Sequence, residues 1–160
     1  MNVLIIGECG VGKTWLMKQV LADHTLRPGK IGKIKFHYND DIILIGVYDG
    51  STFEGSDRLS MSLNTDLDNF LLWARSKIVI CEGDRFTNST FITKAEPVIF
   101  KIQGNGEAGR ILRGSKQTER HLKSIATRVS NIEAHVTADD SNEAYWLLNR
   151  LIKLDEENDK

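Results

Sequence analysis

Near the start of the chain, Gly7-Glu8-Cys9-Gly10-Val11-Gly12-Lys13-Thr14 spells the pattern GxxxxGK[ST]. The chemistry such a run supports is the grip of a polyphosphate. Glycines allow several backbone N–H groups to converge on one anion, and a helix that starts there adds the positive end of its dipole. The Lys13 ammonium would reach the β- and γ-phosphates, and the Thr14 hydroxyl would ligate Mg²⁺. The main chain of Gly7, Cys9, Gly10, Val11 and Gly12 would complete the cradle, with no task for the Cys9 thiol. ATP and Mg²⁺ are therefore the expected cofactors. By composition alone a chain of this size meets the bare pattern on the order of half a percent of the time, so the match is informative.

Three further groups could act on a bound triphosphate. Glu82, Asp84 and Arg85 follow the apolar run Ile78–Cys81. A carboxylate at the end of such a strand can hold Mg²⁺ through water or accept a proton, and a plain solvent-exposed turn is the alternative. Asp49, Glu54, Asp57 and Arg58 follow a second apolar run. One acid there would be the general base that deprotonates an attacking hydroxyl, Asp57 before Asp49, although loops are acidic for solubility as well. The third group is basic: Arg110, Arg113, Lys116, Arg120, Lys123 and Arg128 share a stretch whose only acid is Glu119. Lys116, Arg120 and Lys123 stand at i, i+4 and i+7, on one face of an expected helix. Arg110 and Arg113, set among Gly104, Gly106, Gly109 and Gly114, suit a lid that closes over the phosphates and expels water. The remaining cations would grip a polyanionic acceptor, with Asp49 and Arg58 at its entry; a solvated helix face is the alternative. His24, His37, His121 and His135 form no cluster and read as structural. Trp15, Trp73 and Trp146 read as core, and Phe53, Phe86 and Phe91 as rings that could stack on a base.

The elements that must position these groups follow from periodicity. Asn2–Ile6 reads as a buried strand, and Trp15–Ala22 as a helix. Arg27-Pro28-Gly29-Lys30 breaks the pattern. Lys33–Tyr38 alternates with a period of two, Asn39-Asp40 turns, and Asp41–Tyr48 pairs back, which predicts an antiparallel hairpin at the sheet edge. Leu63, Leu67, Phe70, Leu71 and Ala74 recur at helical spacing to about Arg75. Lys77–Cys81 and Val98–Ile102 read as buried strands. Between them a helix starts at Thr87 or Asn88 and runs to Lys94. Gly104–Gly114 reads as loop, Lys116–Val129 as helix, Ile132–Val136 as a last strand and Asn142–Leu154 as a last helix. The alternation predicts a three-layer α/β phosphate-loop fold with a mostly parallel sheet, its ligand at the C-terminal rim of the strands.

The chain has 160 residues and 41% hydrophobic content, which suits one domain over residues 1–154 with a small basic lid around 104–130 and an acidic tail over 155–160. A net charge of −1, from 21 basic and 22 acidic residues, gives no global polycation, although the acidic tail offsets the basic stretch. Two cysteines without metal-ligand spacing argue against a disulfide framework or a zinc site, and a reduced, cytoplasmic setting is expected. No apolar stretch approaches a membrane span.

Gly7–Thr14 together with Asp84-Arg85-Phe86 after a buried strand resembles the nucleoside- and nucleotide-kinase branch of phosphate-loop enzymes, and thymidylate kinases carry a similar Asp-Arg-aromatic step. No Asn/Thr-Lys-x-Asp guanine-reading motif is present. Tyr48-Asp49-Gly50 followed by Gly55-Ser56-Asp57-Arg58-Leu59-Ser60-Met61 resembles the small bacteriophage kinases of DNA hypermodification. Gln117, Leu122-Lys123, Thr127-Arg128 and Asn131-Ile132 add to the likeness. The resemblance implies transfer of the ATP γ-phosphate to the 5-hydroxymethyl group of 5-hydroxymethyluracil in DNA, with the base flipped out of the duplex. It implies Glu82 and Asp84 near the metal, Asp57 and Arg58 at the acceptor entry, and Arg110 and Arg113 in the lid. A deoxynucleoside monophosphate kinase, or a nucleotide-gated binding module without transfer, are the competing expectations.

Overall fold

The computed structural model describes residues 1–51 and 54–158. Four apolar residues in a row, Val3–Ile6, cannot hide on one face of a strand, so Asn2–Ile6 (β1) lies inside the sheet with a strand on either side. Leu4 and Ile6 face one core and Val3 and Ile5 the other. The chain then forms α1 (Lys13–Asp23), β2 (Arg27–Ile31), β3 (Ile34–Tyr38) and β4 (Ile42–Ile45). A 3₁₀ turn at Leu63–Asp66 leads into α2 (Leu67–Trp73), followed by β5 (Ile78–Glu82), α3 (Ser89–Ala95) and β6 (Val98–Ile102). The remainder is α4 (Glu107–Arg113), α5 (Glu119–Asn131), β7 (Val136–Ala138) and α6 (Ser141–Asn158). The seven strands form one sheet in the order β2-β3-β4-β5-β1-β6-β7. From β4 to β7 the pairing is parallel, and β2 and β3 add an antiparallel edge.

Helices cover both faces. Leu16, Met17 and Val20 of α1 and Ala144, Leu148 and Ile152 of α6 pack on one face. Leu67 and Phe70 of α2, Phe91 and Ala95 of α3, and Ile125 and Val129 of α5 pack on the other. This is an α/β domain with a mostly parallel sheet between two helical layers. The parallel strands bring the segments after β1, β4, β5 and β6 to one rim. No helix among the described residues is long and apolar enough to cross a membrane.

Several expectations shift. Arg27–Lys30 is not a break but most of β2, an edge strand, where a proline costs no ladder bond and the Arg27 guanidinium lies 4.7 Å over the Tyr38 ring. The Gly104–Gly114 segment holds α4, because Gly106 and Gly114 take left-handed conformations at its two ends and so cap the helix. α5 starts at Glu119 rather than Lys116, since the Thr118 hydroxyl accepts from the His121 amide and fixes the cap. Lys116 therefore lies outside the helix and shares no helix face with Arg120 and Lys123. The last strand is Val136–Ala138, and α6 runs on to Asn158, so most of the expected acidic tail continues a helix. Asp159 and Lys160 lie outside the described residues, as does Phe53. The tryptophans are not core: Trp146 is 56% exposed beneath Arg150, and Trp15 and Trp73 are also exposed. Phe86 and Phe91 are fully buried against each other, their centroids 4.8 Å apart, so neither ring can receive a base.

Candidate active site

The segment between β1 and α1 turns at Gly10 (φ 92°) and Gly12 (φ 101°), backbone conformations that strain any L side chain. A Cβ at Gly12 would also lie 2.7 Å from the Ser141 side chain at the start of α6. Among the described residues no side chain caps α1. Among the described residues, nothing accepts from the amides of Gly12, Lys13, Thr14 or Trp15, which leaves a cluster of donors at the helix start. Lys13 folds back over this turn, and its Nζ donates to the carbonyls of Gly7 (2.8 Å) and Glu8 (2.9 Å).

Glu82 is the last residue of β5, in register with Ile5 of β1. It points to the same face as α1 and is only 4% exposed. Three groups meet its carboxylate: the Tyr48 hydroxyl donates to Oε1 at 3.4 Å, the Ser56 backbone N–H donates to it, and Gly55 passes so close that a Cβ there would be 2.5 Å from Oε1. Burial pushes the Glu82 pKa up, with the Lys13 charge opposing that shift and Asp57 adding to it. Burial likewise pushes Lys13 down; Glu82 is the main group holding its charge, and Arg113 works against it. Lys13, Glu82, Asp57 and Arg113 thus form one electrostatic group at the rim.

The segment after β4 folds over this group. Val47 and Gly55 exchange two backbone hydrogen bonds (3.2 and 2.7 Å), which brings Ser56 onto Glu82 and Asp57 beside it. The other charges of this segment are tied down. Asp49 and Arg58 form an ion pair that Ser51 joins, and these bonds hold the Asp49 carboxyl well below the usual range. Glu54 pairs with Lys18 of α1. Of the four acids and bases expected here, Asp57 alone carries no ion pair among the described residues. It is exposed and faces the Glu82–Lys13 pair.

Asp84 and Arg128, expected on the metal and on the acceptor respectively, hold one another. Arg128 Nε donates to Oδ1 at 2.8 Å and Nη2 to Oδ2 at 2.7 Å, while the Thr87 hydroxyl also donates to Oδ1. The bidentate pair ties the turn after β5 to α5. Arg85 stays half-buried without an ion-pair partner among the described residues, and Lys116, Arg120 and Lys123 are exposed. Lys123 pairs with Glu119 of its own helix.

α4 docks on the turn through bare backbone. A Cβ at Gly106 would be 1.9 Å from the Cys9 carbonyl oxygen, and one at Gly109 would be 1.9 Å from that of Gly10. Arg110 Nη1 donates to the Cys9 carbonyl at 2.8 Å, and Gln117 Nε2 donates to the Cys9 thiol at 3.3 Å. The basic segment expected as a lid is therefore seated on the turn, with Arg113 close enough to Lys13 to disfavour its charge. Periodicity gives no sign of this glycine seam, or of Tyr48 and Ser56 on Glu82. The one available signal was the density of glycines between 104 and 114.

Two of the histidines serve the backbone: His135 Nδ1 accepts from Ile99 N at 2.9 Å, and His37 Nε2 accepts from Tyr48 N at 3.4 Å. Among the described residues no group of three or more His, Cys, Asp or Glu could hold a metal ion on its own. Comparison with protein-family models, with curated proteins and with solved structures gave no match.

Proposed function

We propose that this protein is an ATP- and Mg²⁺-dependent kinase of the phosphate-loop type. Its acceptor is the 5-hydroxymethyl group of 5-hydroxymethyluracil in DNA. One observation carries the reading: the GxxxxGK[ST] turn, with its free first-turn amides, sits one strand away from a buried carboxylate that shares its charge with the Lys13 of that turn. The residues present fit the group they would hold. Hard oxygen donors, the Thr14 hydroxyl and the Glu82 carboxylate, suit Mg²⁺, which takes few protein ligands and keeps phosphate oxygens and water for the rest. ATP with its metal would supply the transferable phosphoryl group.

The chain's own residues would then act by position and charge. Amides at the start of α1 bind the phosphate oxygens, and Lys13 exchanges the Gly7 and Glu8 carbonyls for them. Arg113 and Arg110, carried on α4, supply positive charge on the open side and exclude water. Asp57, exposed and unpaired beside the centre, accepts the proton of the acceptor hydroxyl. The choice of acceptor is supported by the likeness of the Gly55–Met61 segment to hypermodification kinases, and by that segment's contact with Glu82 through Ser56.

Labelled ATP tests the proposal. The γ-phosphate should appear on DNA containing 5-hydroxymethyluracil, and Lys13→Ala should abolish transfer while the melting temperature stays within a few degrees. Label found only on free deoxynucleoside monophosphates would move the assignment to a nucleotide kinase. ATP binding with no transfer to any acceptor would make the protein a nucleotide-gated binding module.

A further inference from the structure

The antiparallel edge carries a face that no helix-borne core covers. Along the β2–β3 ladder Pro28 lies opposite His37 and Lys30 opposite Lys35, so these four side chains share one face. His37 in turn opposes Leu44 of β4, which belongs to the α1-side core. The shared face is therefore the one on which Tyr48 and Glu82 lie. No buried residue of β2 or β3 belongs to that core. In its place is an open, solvent-facing cavity of about 470 Å³, lined by Pro28, His37, Gly46 and Val47 together with Lys30 and Lys35. That volume is in the range of small-ligand sites.

The two lysines make the cavity's chemistry specific. Like charges directly opposite in a ladder repel each other. Both are exposed, and among the described residues neither ammonium has an ion-pair partner. The carboxylate that lines the same cavity, Asp49, is engaged by Arg58. An anion set between Lys30 and Lys35 removes the repulsion. The cavity is also joined to the candidate active site by a single segment: Val47, in its wall, pairs with Gly55, and the next residue, Ser56, bonds Glu82.

We infer that this cavity seats one nucleotide of the acceptor DNA strand, its phosphate between Lys30 and Lys35 and its base against Pro28, His37 and Val47. The inference rests on the proposal that the acceptor is DNA. It adds a strand-holding site on the β2–β3 edge, apart from the basic α4–α5 stretch.

The test uses the full chain and a fluorescent single-stranded oligonucleotide that contains one 5-hydroxymethyluracil. Its affinity is titrated against salt for wild type, Lys30→Gln/Lys35→Gln, and Lys153→Gln as an exposed-lysine control. Each phosphate contact on a single strand contributes about 0.7 to the slope of log K against log [salt], so losing the one held between the two lysines lowers the slope by about 0.7. Between about 50 and 200 mM salt the double variant should then lose affinity roughly two- to threefold less than wild type. Lys153→Gln should follow wild type, and equal melting temperatures establish that the variants fold. An unchanged slope in the double variant, or a wild type that binds no strand, overturns the inference. The kinase proposal fails separately: a lysine-dependent slope with no labelled phosphate on the strand sinks the transfer assignment and leaves the site, whereas transfer with an unchanged slope sinks the site and leaves the kinase.

Discussion

Replacing Gly109 with alanine sets two effects of opposite sign against each other. Gly109 lies inside α4 with no positive φ, so in a free helix alanine gains about 0.8–1.0 kcal/mol through propensity alone. In the docked helix the new methyl would lie 1.9 Å from the Gly10 carbonyl oxygen and 2.8 Å from its carbon. Both obstacles are backbone, and ordinary contact begins at 3.4 Å. α4 must therefore back away by about 1.5 Å, the difference between that contact distance and 1.9 Å, or distort. Overpacking of this kind costs about 1–3 kcal/mol. The same retreat lengthens the 2.8 Å bond from Arg110 to the Cys9 carbonyl, a charge-assisted bond whose loss adds about 1.5 kcal/mol or more. Subtracting the propensity gain leaves a net penalty on docking of roughly 1.5–3.5 kcal/mol.

The measurement is native-state hydrogen exchange on the amides of α4 and of Gly10–Gly12, without nucleotide. At 1.4 kcal/mol per tenfold, Gly109→Ala should speed their exchange by about tenfold to a few hundredfold, while the β1, β5 and β6 amides keep their wild-type protection. Ala108→Gly serves as the counterpart, because Ala108 is exposed and its replacement lowers propensity without entering the seam. If Gly109→Ala instead slows exchange in α4, as propensity alone requires, the helix is not seated on the turn through these glycines and the lid geometry is wrong.

Two further perturbations separate the charges of the rim. Glu82 has its pKa raised by burial, so its neutral form is favoured in the folded state, and stability is lost as pH rises above the ordinary value of 4.5. Glu82→Gln, in the presence of a chelator, should therefore remove the fall in melting temperature that this titration gives wild type as pH rises above that value, and should abolish phosphotransfer; a fall in the variant as steep as in wild type would contradict the sign. For the half-exposed Asp84–Arg128 pair, a double-mutant cycle of Asp84→Asn and Arg128→Gln followed by denaturation should give a coupling of about 0.5–1 kcal/mol, shrinking in high salt, since exposure screens even a bidentate pair. A coupling near zero would return Arg128 to the acceptor and Asp84 to the metal.

What could be read from the residues alone divides along the distance between cause and effect. β1, β5 and β6 were legible because strands buried on both faces leave runs of Val, Ile and Leu with no alternation to confuse. α3 was legible because its cap is local: Asn88 Oδ1 accepts from the Phe91 amide three residues on. The Gly7–Thr14 turn was legible for the same reason. β2 was not, because Pro28-Gly29 reads as punctuation unless the neighbouring hairpin is already there to accept an edge. α4 was not, because glycines that end a helix and glycines that let two backbones touch look identical to glycines in a loop. The pairing of Asp84 with Arg128 spans 44 residues, and nothing in the spacing of either marks the other.

The site's charges would also link the triphosphate and Mg²⁺ of the proposed function to each other. Lys13 and Glu82 are each pushed toward neutrality by burial, and each is the other's chief support in the charged state. A triphosphate bound as proposed would stabilise the Lys13 ammonium and draw it off the Gly7 and Glu8 carbonyls, which would weaken its support of Glu82. A divalent cation beside Glu82 would replace that support. Triphosphate alone would leave a buried carboxylate without its counter-charge, and metal alone would leave an ammonium facing another cation. Each ligand would remove the cost the other imposes, so on the proposed reading their affinities rise together, and by linkage by the same factor. Tyr48 and Ser56 would keep this coupling local, because their hydrogen bonds hold Glu82 toward the interior whatever the position of Lys13.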